Sequence, residues 1–341
     1  MKLNLYTIRL CKFDEYEKLV EFFRKYWSEK HVFCRNKEIF EFQHGCGTSR
    51  DGAFDFIVAV HNDTSEIHAV LGYISSSRYD GGDVKKPNAV YGALWKVRED
   101  IQNKEIRKLG LGVLYYLLKM FPDSAYITLG LSRFSQQIYD ALHFNFGLMN
   151  HYYIAANHTN DFRIASAPVV NPESRCSDDY YMRFLDVIPD GFDSFYYPGK
   201  NADFIAKRYM EHPFYKYKLA GIYQQGELLT VWVIREAMAN GRKCLRIVDV
   251  VGDMRSVQNL EGNIHTLLKE CDAEYIDCYN YGIDEEVFLG IGFYKVEGDT
   301  VIPDYFEPFE KKNIDIHYAF LSKKPVVIFK GDGDQDRPNL L

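Results

Sequence analysis

The 341-residue chain lacks any run approaching the ~20 consecutive apolar residues that cross a bilayer, so no membrane insertion is expected. Its start, MKLNLYTIRLCKFDEYEKL, interrupts each apolar run with a charge too early for a signal peptide, and the expected location is cytoplasmic. Cys-x-x-Cys pairs are also missing. The seven cysteines (11, 34, 46, 176, 244, 271 and 278) are odd in number and scattered, which fits reduced thiols better than a disulfide framework. Neither HExxH nor any metal-spaced Cys/His set occurs, so no metal is expected. Positive charge is in deficit: 41 Lys and Arg face 48 Asp and Glu, the net charge is -7, and the pI is about 5.8. That balance argues against a polyanion-binding surface and so against a nucleic-acid partner. Aromatics are what the chain has in excess, with 26 Tyr and 24 Phe. A tyrosine offers a flat apolar face and a hydroxyl, which suits polar ring-shaped ligands, although ordinary cores use the same residue.

The length exceeds one ordinary core, so two domains are expected. In the first half KLNLYTIRL reads as a strand and DEYEKLVEFFRKYWSEK as an amphipathic helix with Tyr16, Leu19, Phe22, Phe23 and Tyr26 at helical spacing. Two strands around Asn62-Asp63 follow, then AVYGALWKVRE as a strand, GVLYYLLKMF as a helix and SAYITLGLS as a strand. SQQIYDALHF reads as a short helix and GLMNHYYIAAN as a last strand. Residues 156–178 are polar with no period and read as a linker. The second half repeats the plan: ADFIAKRYMEH helical, YKLAGIYQQGELLTVWVIREAM a hairpin, KCLRIVDVVGD a strand, VQNLEGNIHTLLKEC a helix, AEYIDCYNYG a strand and DEEVFLGIGF a short helix. The predicted domains are 1–155 and 179–341, each an α/β (α+β) unit with a mixed twisted sheet flanked by helices.

In RKLGLGVLYYLL a strand precedes two glycines, and the helix is predicted to begin at the second, Gly112. The first turn of a helix leaves amides without partners, its dipole favours negative charge, and glycine lets a phosphate approach the backbone. The stretch therefore suits a pyrophosphate. Val113-Leu114 stand where a Walker loop needs Lys-Ser/Thr, and Tyr115 stands where a dinucleotide fingerprint needs its third glycine, so both are excluded.

Arg107-x-x-Gly110-x-Gly112, between a strand and a helix, resembles the acetyl-CoA pyrophosphate loop of the GNAT acyltransferase superfamily, and the element order is that superfamily's too. IYDALHF (138–144) is similar to the family's LYEKLGF, with Tyr139 and Phe144 matching and His143 in place of the usual glycine. The likeness covers residues 3–155. HVFCRNKEIFEFQH, AVLGYISSSRYD, GALWKV, HYYIAAN and FKGDGDQDRPN resemble a group of two-domain bacterial GNAT proteins found with genes for surface-polysaccharide sugars.

The resemblance implies that acetyl-CoA or another acyl-CoA is the co-substrate, held by Leu94, Trp95, Lys96 and Val97 along the strand and by Arg107, Lys108, Leu109, Gly110, Leu111, Gly112 and Val113 at the glycines. It implies a thioester in a gap beside the strand ending Leu129-Gly130-Leu131, Tyr139 as acid to the leaving thiolate, and a backbone N–H for the oxyanion. A primary amine attacks directly and needs a base or a water relay. Glu41, His44, Glu99 and His31 are the candidates, with His31, Glu41 and His44 on the acceptor side. The implied partner is a small amino-sugar acceptor, expected in nucleotide-linked form; a homodimer is a further expectation.

Other motifs carry less. HGCGTSR sets His44 near Cys46 without readable activating geometry, and reads as an acceptor-side loop. Asp332, Asp334 and Asp336 have EF-hand spacing, yet Arg337 holds the position a calcium loop reserves for glycine, so an ordered tail is expected instead. In the second half VVGDMRSVQNLEG (250–262) has no such glycine motif and carries Asp253 near the helix start, whereas Gly290-Ile291-Gly292-Phe293 resembles the family's LGF ending. The first half is thus expected to hold acyl-CoA and the second to supply acceptor or dimer surface. An aminoacyl transferase of the peptidoglycan-bridge type and a non-catalytic binding module stay open as alternatives.

Overall fold

A computed structural model describes residues 3–45, 52–172 and 179–333. The first half runs β1 (Tyr6–Lys12), α1 (Tyr16–Tyr26), α2 (Val32–Arg35), α3 (Lys37–His44), β2 (Ala53–His61), β3 (Ile67–Ser75), α4 (Ser77–Asp80), β4 (Ala89–Val97), α5 (Ile106–Met120), β5 (Ala125–Leu129), α6 (Arg133–Ala141), β6 (Asn145–Leu148) and β7 (Asn150–Ala155). The second half runs β8 (Tyr180–Leu185), α7 (Ala202–Ile205), β9 (Tyr217–Gln224), β10 (Glu227–Ala239), β11 (Arg242–Gly252), α8 (Glu261–Cys271), β12 (Ala273–Tyr281), α9 (Glu285–Ile291), β13 (Tyr294–Lys295), β14 (His317–Leu321) and β15 (Ile328–Phe329).

The apolar runs of β2 and β3 are buried on both faces, and alternation decides which helices each face meets. Ile57, Ala59, Ala69, Leu71 and Tyr73 pack on Leu109, Val113, Leu114 and Leu117 of α5. The intervening Phe56, Val58, Val60 and Val70 pack on Leu19, Phe22 and Phe23 of α1 and on Ile39 and Phe40 of α3. In the second half α8 places Ile264, Leu267 and Leu268 against Ile234, Leu245, Ile247 and Ile276. A further core joins the halves, with Ile74, Tyr91 and Ile127 on one side and Val231, Val233, Val248 and Val251 on the other.

Two sheets result, ordered β1-β2-β3-β4-β5-β14-β6 and β13-β7-β12-β11-β10-β9-β8, with β15 also pairing β12. Membership of the two sheets does not follow the chain's order about residue 155. GLMNHYYIAAN, predicted as one strand, breaks at Met149: β6 stays in the first sheet while β7 pairs with β12 in the second. In return β14 enters the first sheet between β5 and β6. The stretch read as a linker is packed as far as it is described. Ile164 and Ala165 are buried, and the Glu274 carboxylate accepts from the amides of Arg163, Ile164 and Ala165. Most of the tyrosines that stood out in the composition serve the cores, among them Tyr73, Tyr152, Tyr153 and Tyr275.

Candidate functional site

β4 and β5 lie parallel over only four residue pairs, from Ala89↔Ala125 to Gly92↔Thr128, where the Thr128 hydroxyl donates to the Gly92 carbonyl at 3.0 Å. Beyond that point they part. β4 continues to Val97 on β3, whereas β5 follows β14, with the Gly130 amide donating to the His317 carbonyl at 2.9 Å. At the fork β4 carries an extra residue, since Gly92 opposes Tyr73 and Leu94 opposes Gly72, which makes Ala93 a bulge. The bulge was not foreseen, although the small residues of Gly92-Ala93 are its signal.

The fork opens into a cavity of about 1220 Å³, large against the 300–1,000 Å³ typical of single-ligand sites. Leu94, Trp95, Lys96, Val97, Arg107, Gly110, Leu111 and Tyr139 line it, and so does Glu99, which pairs with Lys96 at 2.7 Å. The buried indole N–H of Trp95 has no hydrogen-bond partner among the described residues. The remaining predicted loop residues lie elsewhere: Leu109 and Val113 are in the core, Gly112 is buried in α5, and Lys108 is exposed.

The helix start is corrected as well. α5 begins at Ile106 rather than Gly112, because the Asn103 carboxamide oxygen accepts from the amides of Glu105 (3.0 Å) and Ile106 (2.8 Å) and so caps the turn early. In a helix that starts there, amides from Gly110 onward are committed to carbonyls one turn back, and orphan donors are confined to the first turn. The run of open amides expected to extend through Val113 therefore ends before Gly110. A Cβ at Gly110 would point at Trp95 and Val97 of β4, 3.4–3.6 Å away, into the gap between helix and strand.

Tyr139, on α6, is 1% exposed and reaches the fork. Its hydroxyl lies 2.7 Å from that of Tyr126 on β5, and its ring packs on Trp95 and Phe144. Burial drives the Tyr139 hydroxyl well above its ordinary pKa and Tyr126 to about 12, so both keep their protons at neutral pH. Tyr126 was missed by sequence reasoning; nothing in AYITL distinguishes it from a core tyrosine.

His143 adopts φ 58°, the left-handed conformation the family glycine would supply, and the Phe144 amide closes on the Tyr139 carbonyl at 3.0 Å. The second half repeats this closure, with Gly292 at positive φ and the Phe293 amide on the Phe288 carbonyl at 2.9 Å. Phe288 thus stands where the first half has Tyr139, and no hydroxyl is available there.

The far end of the cavity is built from the second half by Tyr215, Arg235, Asp304, Tyr305, Phe306, Glu307 and Lys330. Behind it Arg246 makes a bidentate pair with Asp277 (3.1 and 2.8 Å) and reaches Asp304 at 2.7 Å, while Lys330 also pairs with Asp304. Burial would raise the Asp304 carboxyl, but Lys330 and Arg246 outweigh it and hold it below the ordinary carboxylate range. Burial, then the Arg246 charge, push Lys330 down to about 8. His151, 2.9 Å from Asp277, is held below its usual value by burial despite that carboxylate.

Three predicted acceptor-side residues do not meet the cavity. His31 caps α2, its ring accepting from the Phe33 amide and stacking on Phe23. Glu41 is exposed and pairs with Lys37 at 3.5 Å. His44 is buried among Phe33, Phe40 and Phe56, with Nδ1 2.9 Å from the Tyr73 carbonyl oxygen. Each was chosen for titratable character, and each is spent on helix capping, surface pairing or core packing. Cys46, Asp334, Asp336 and Arg337 lie outside the described residues. Asp332 pairs with buried Lys200 at 2.7 Å. Among the described residues no helix is long and apolar enough to cross a membrane, and no group of three or more His, Cys, Asp or Glu could hold a metal.

No protein-family model matches the chain, and no curated protein matches it. Among solved structures, a GCN5-related N-acetyltransferase from Anabaena variabilis is similar over 92% of this chain and 72% of that one, with a TM-score of 0.55 at 9% identity. A candidate acetyltransferase from Pyrococcus horikoshii is similar over 97% and 95%, with a TM-score of 0.50 at 15% identity. Forked parallel strands, a bulge at the fork and a repeat of the plan in the second half accompany that likeness, and the chain has the fold of tandem GCN5-related N-acetyltransferases.

Proposed function

We propose that the protein is an acyl-CoA-dependent N-acyltransferase whose reaction takes place at the fork between β4 and β5. The observation that carries this reading is the buried Tyr139–Tyr126 hydroxyl pair, facing a cavity that runs from the first turn of α5 to the second half of the chain. Acyl-CoA would lie along β4 beyond Gly92, its diphosphate toward Arg107 and its thioester beside the Ala93 bulge, where a backbone N–H meets the developing oxyanion. Gly110 borders the same cavity beside Trp95 and Val97, and its lack of a side chain favours close approach of such a ligand to the helix backbone.

The acceptor amine approaches from the second-half end. Its nitrogen attacks the thioester carbonyl, the C–S bond breaks, and the thiolate takes the Tyr139 proton, with Tyr126 hydrogen-bonded to support the phenolate until it is reprotonated. The amine's own proton goes to Glu307, a carboxylate lining that end and hydrogen-bonded by Tyr215 at 3.0 Å, or to water. An amino sugar stays the acceptor this reading favours, on the sequence resemblance alone.

Calorimetric titration with acetyl-CoA, followed by mass spectrometry of amine panels incubated with protein and acyl-CoA, tests the proposal. Micromolar binding and an acylated amine product are expected. A chain that binds no acyl-CoA retires the enzyme reading.

A further inference from the structure

Arg235 lies on β10, directly across from Arg246 on β11 and Tyr217 on β9. It is only 7% exposed, and it lines the cavity. Its Nε and Nη1 are sealed from solvent and have no hydrogen-bond partner among the described residues. No carboxylate among them pairs with it either; its contact is the Tyr215 ring, 4.3 Å from the guanidinium carbon. The arginine facing it shows the usual remedy for burial, since Arg246 is saturated by Asp277 and Asp304. Unmet guanidinium donors in a dry site are costly, and a fold keeps them where a ligand supplies the acceptors.

The neighbouring carboxylates are already engaged. Arg246 and Lys330 hold Asp277 and Asp304, and burial disfavours the charged form of His151. Glu307 borders the same space but accepts from the Tyr215 hydroxyl, which tethers it to the ring that Arg235 stacks on. The Arg235 charge is felt at Lys330, where it helps lower the lysine's pKa, so an arriving anion relieves both.

We propose that Arg235 recognises an oxyanion, a carboxylate or a phosphate, carried by the acceptor substrate, with Lys330 as the second positive charge. This rests on the reading of the cavity as an acyl-transfer site and narrows its acceptor to amines bearing an acidic group. A planar fork held against Tyr215 is preorganised for two parallel N–H···O bonds, which a lysine cannot match. The anion end is separate from the diphosphate end, which is lined by Arg107 of the first half.

The test is calorimetric titration of the full chain with inorganic phosphate and, separately, with acetate, in excess CoA so that the diphosphate end is occupied. The parent, Arg235→Gln and Arg235→Lys are compared, with thermal melts to confirm that each is folded. At least one anion is expected to bind the parent, phosphate alone marking a phosphorylated acceptor and acetate alone a carboxylated one. Arg235→Gln should weaken that binding at least tenfold, and Arg235→Lys should restore part of it, with CoA affinity within twofold throughout. Binding of neither anion by the parent, or equal binding by Arg235→Gln, overturns the proposal. Anion binding through Arg235 in a protein that ignores acyl-CoA would instead retire the acyl-transfer reading and leave this site standing.

Discussion

Replacing Gly110 with alanine separates a structural glycine from one kept clear for a ligand. Gly110 sits in α5, past its first turn, where glycine is roughly 1 kcal/mol less favourable than alanine. The new methyl would meet only ordinary contacts, 3.4 Å to Val97 and 3.5–3.6 Å to Trp95. The unliganded protein should therefore be more stable by about 0.5–1 kcal/mol. With an unfolding entropy of about 2 cal/mol/K per residue, that raises the melting temperature by roughly 1 °C in a chain of 341 residues. The same methyl adds bulk to the cavity wall beside Trp95 and Val97, the β4 residues along which the proposed acyl-CoA lies. Affinity should fall at least tenfold, about 1.4 kcal/mol. Gly290→Ala is the control: Gly290 lies in α9 with nothing near its Cβ position, so the stability gain should recur without any loss of CoA binding. Differential scanning calorimetry and CoA titration read the two effects. A Gly110→Ala protein that binds CoA like its parent would show that the ligand does not lie along this wall.

Tyr139→Phe should lower kcat about a hundredfold at neutral pH while leaving the KM for acyl-CoA nearly unchanged, since the proposed role of the hydroxyl is to protonate the leaving thiolate; full turnover would remove the residue from that role. Asp277→Asn removes one of the two carboxylates that hold Arg246, which is 1% exposed, and should cost about 3 kcal/mol in urea unfolding. Asp123→Asn, which breaks an exposed pair with Lys323, should leave the midpoint in place, and a similar loss from both would contradict the burial argument. A chain ending at Ala155 loses β14 from between β5 and β6, and its β7 loses β12. It should show no sharp thermal transition, whereas a cooperative melt near that of the full chain would mean the strand exchange is dispensable.

The elements of the first half were legible because each central strand is a continuous apolar run and α1 has apolar residues at helical spacing. Strand allocation was not legible. Nothing local in NFGLMNHYYIA states that Met149 ends one sheet's strand and Asn150 begins another's, because both segments are apolar enough for either partner. The start of α5 was misread for a related reason: two glycines look like a loop, yet one Asn103 side chain suffices to begin the helix earlier. Tyr139 was singled out through its motif, whereas Arg235 carried no signal at all. On a strand an arginine is normally solvent-facing or paired, and only the fold reveals that Arg235 is buried with no carboxylate partner among the described residues.

The two halves differ in a way that assigns them different work within one cavity. Both end a helix with the same closure, at Tyr139–Phe144 and at Phe288–Phe293, yet only the first has a hydroxyl at that position. In the second half Phe288 stacks on Tyr152 of β7, a strand contributed by the first half's chain segment, so the place equivalent to the acid is filled by core. Asp253 caps the short turn after β11 with its own carboxylate, which would oppose a diphosphate there. What the second half keeps instead are buried cations at the shared cavity, and one of them, Arg235, lacks a protein partner among the described residues. On the proposed reading, a half with Phe288 in place of the hydroxyl and Asp253 at its turn, yet with the Arg235 guanidinium lining the shared cavity, would hold the acceptor that the first half acylates.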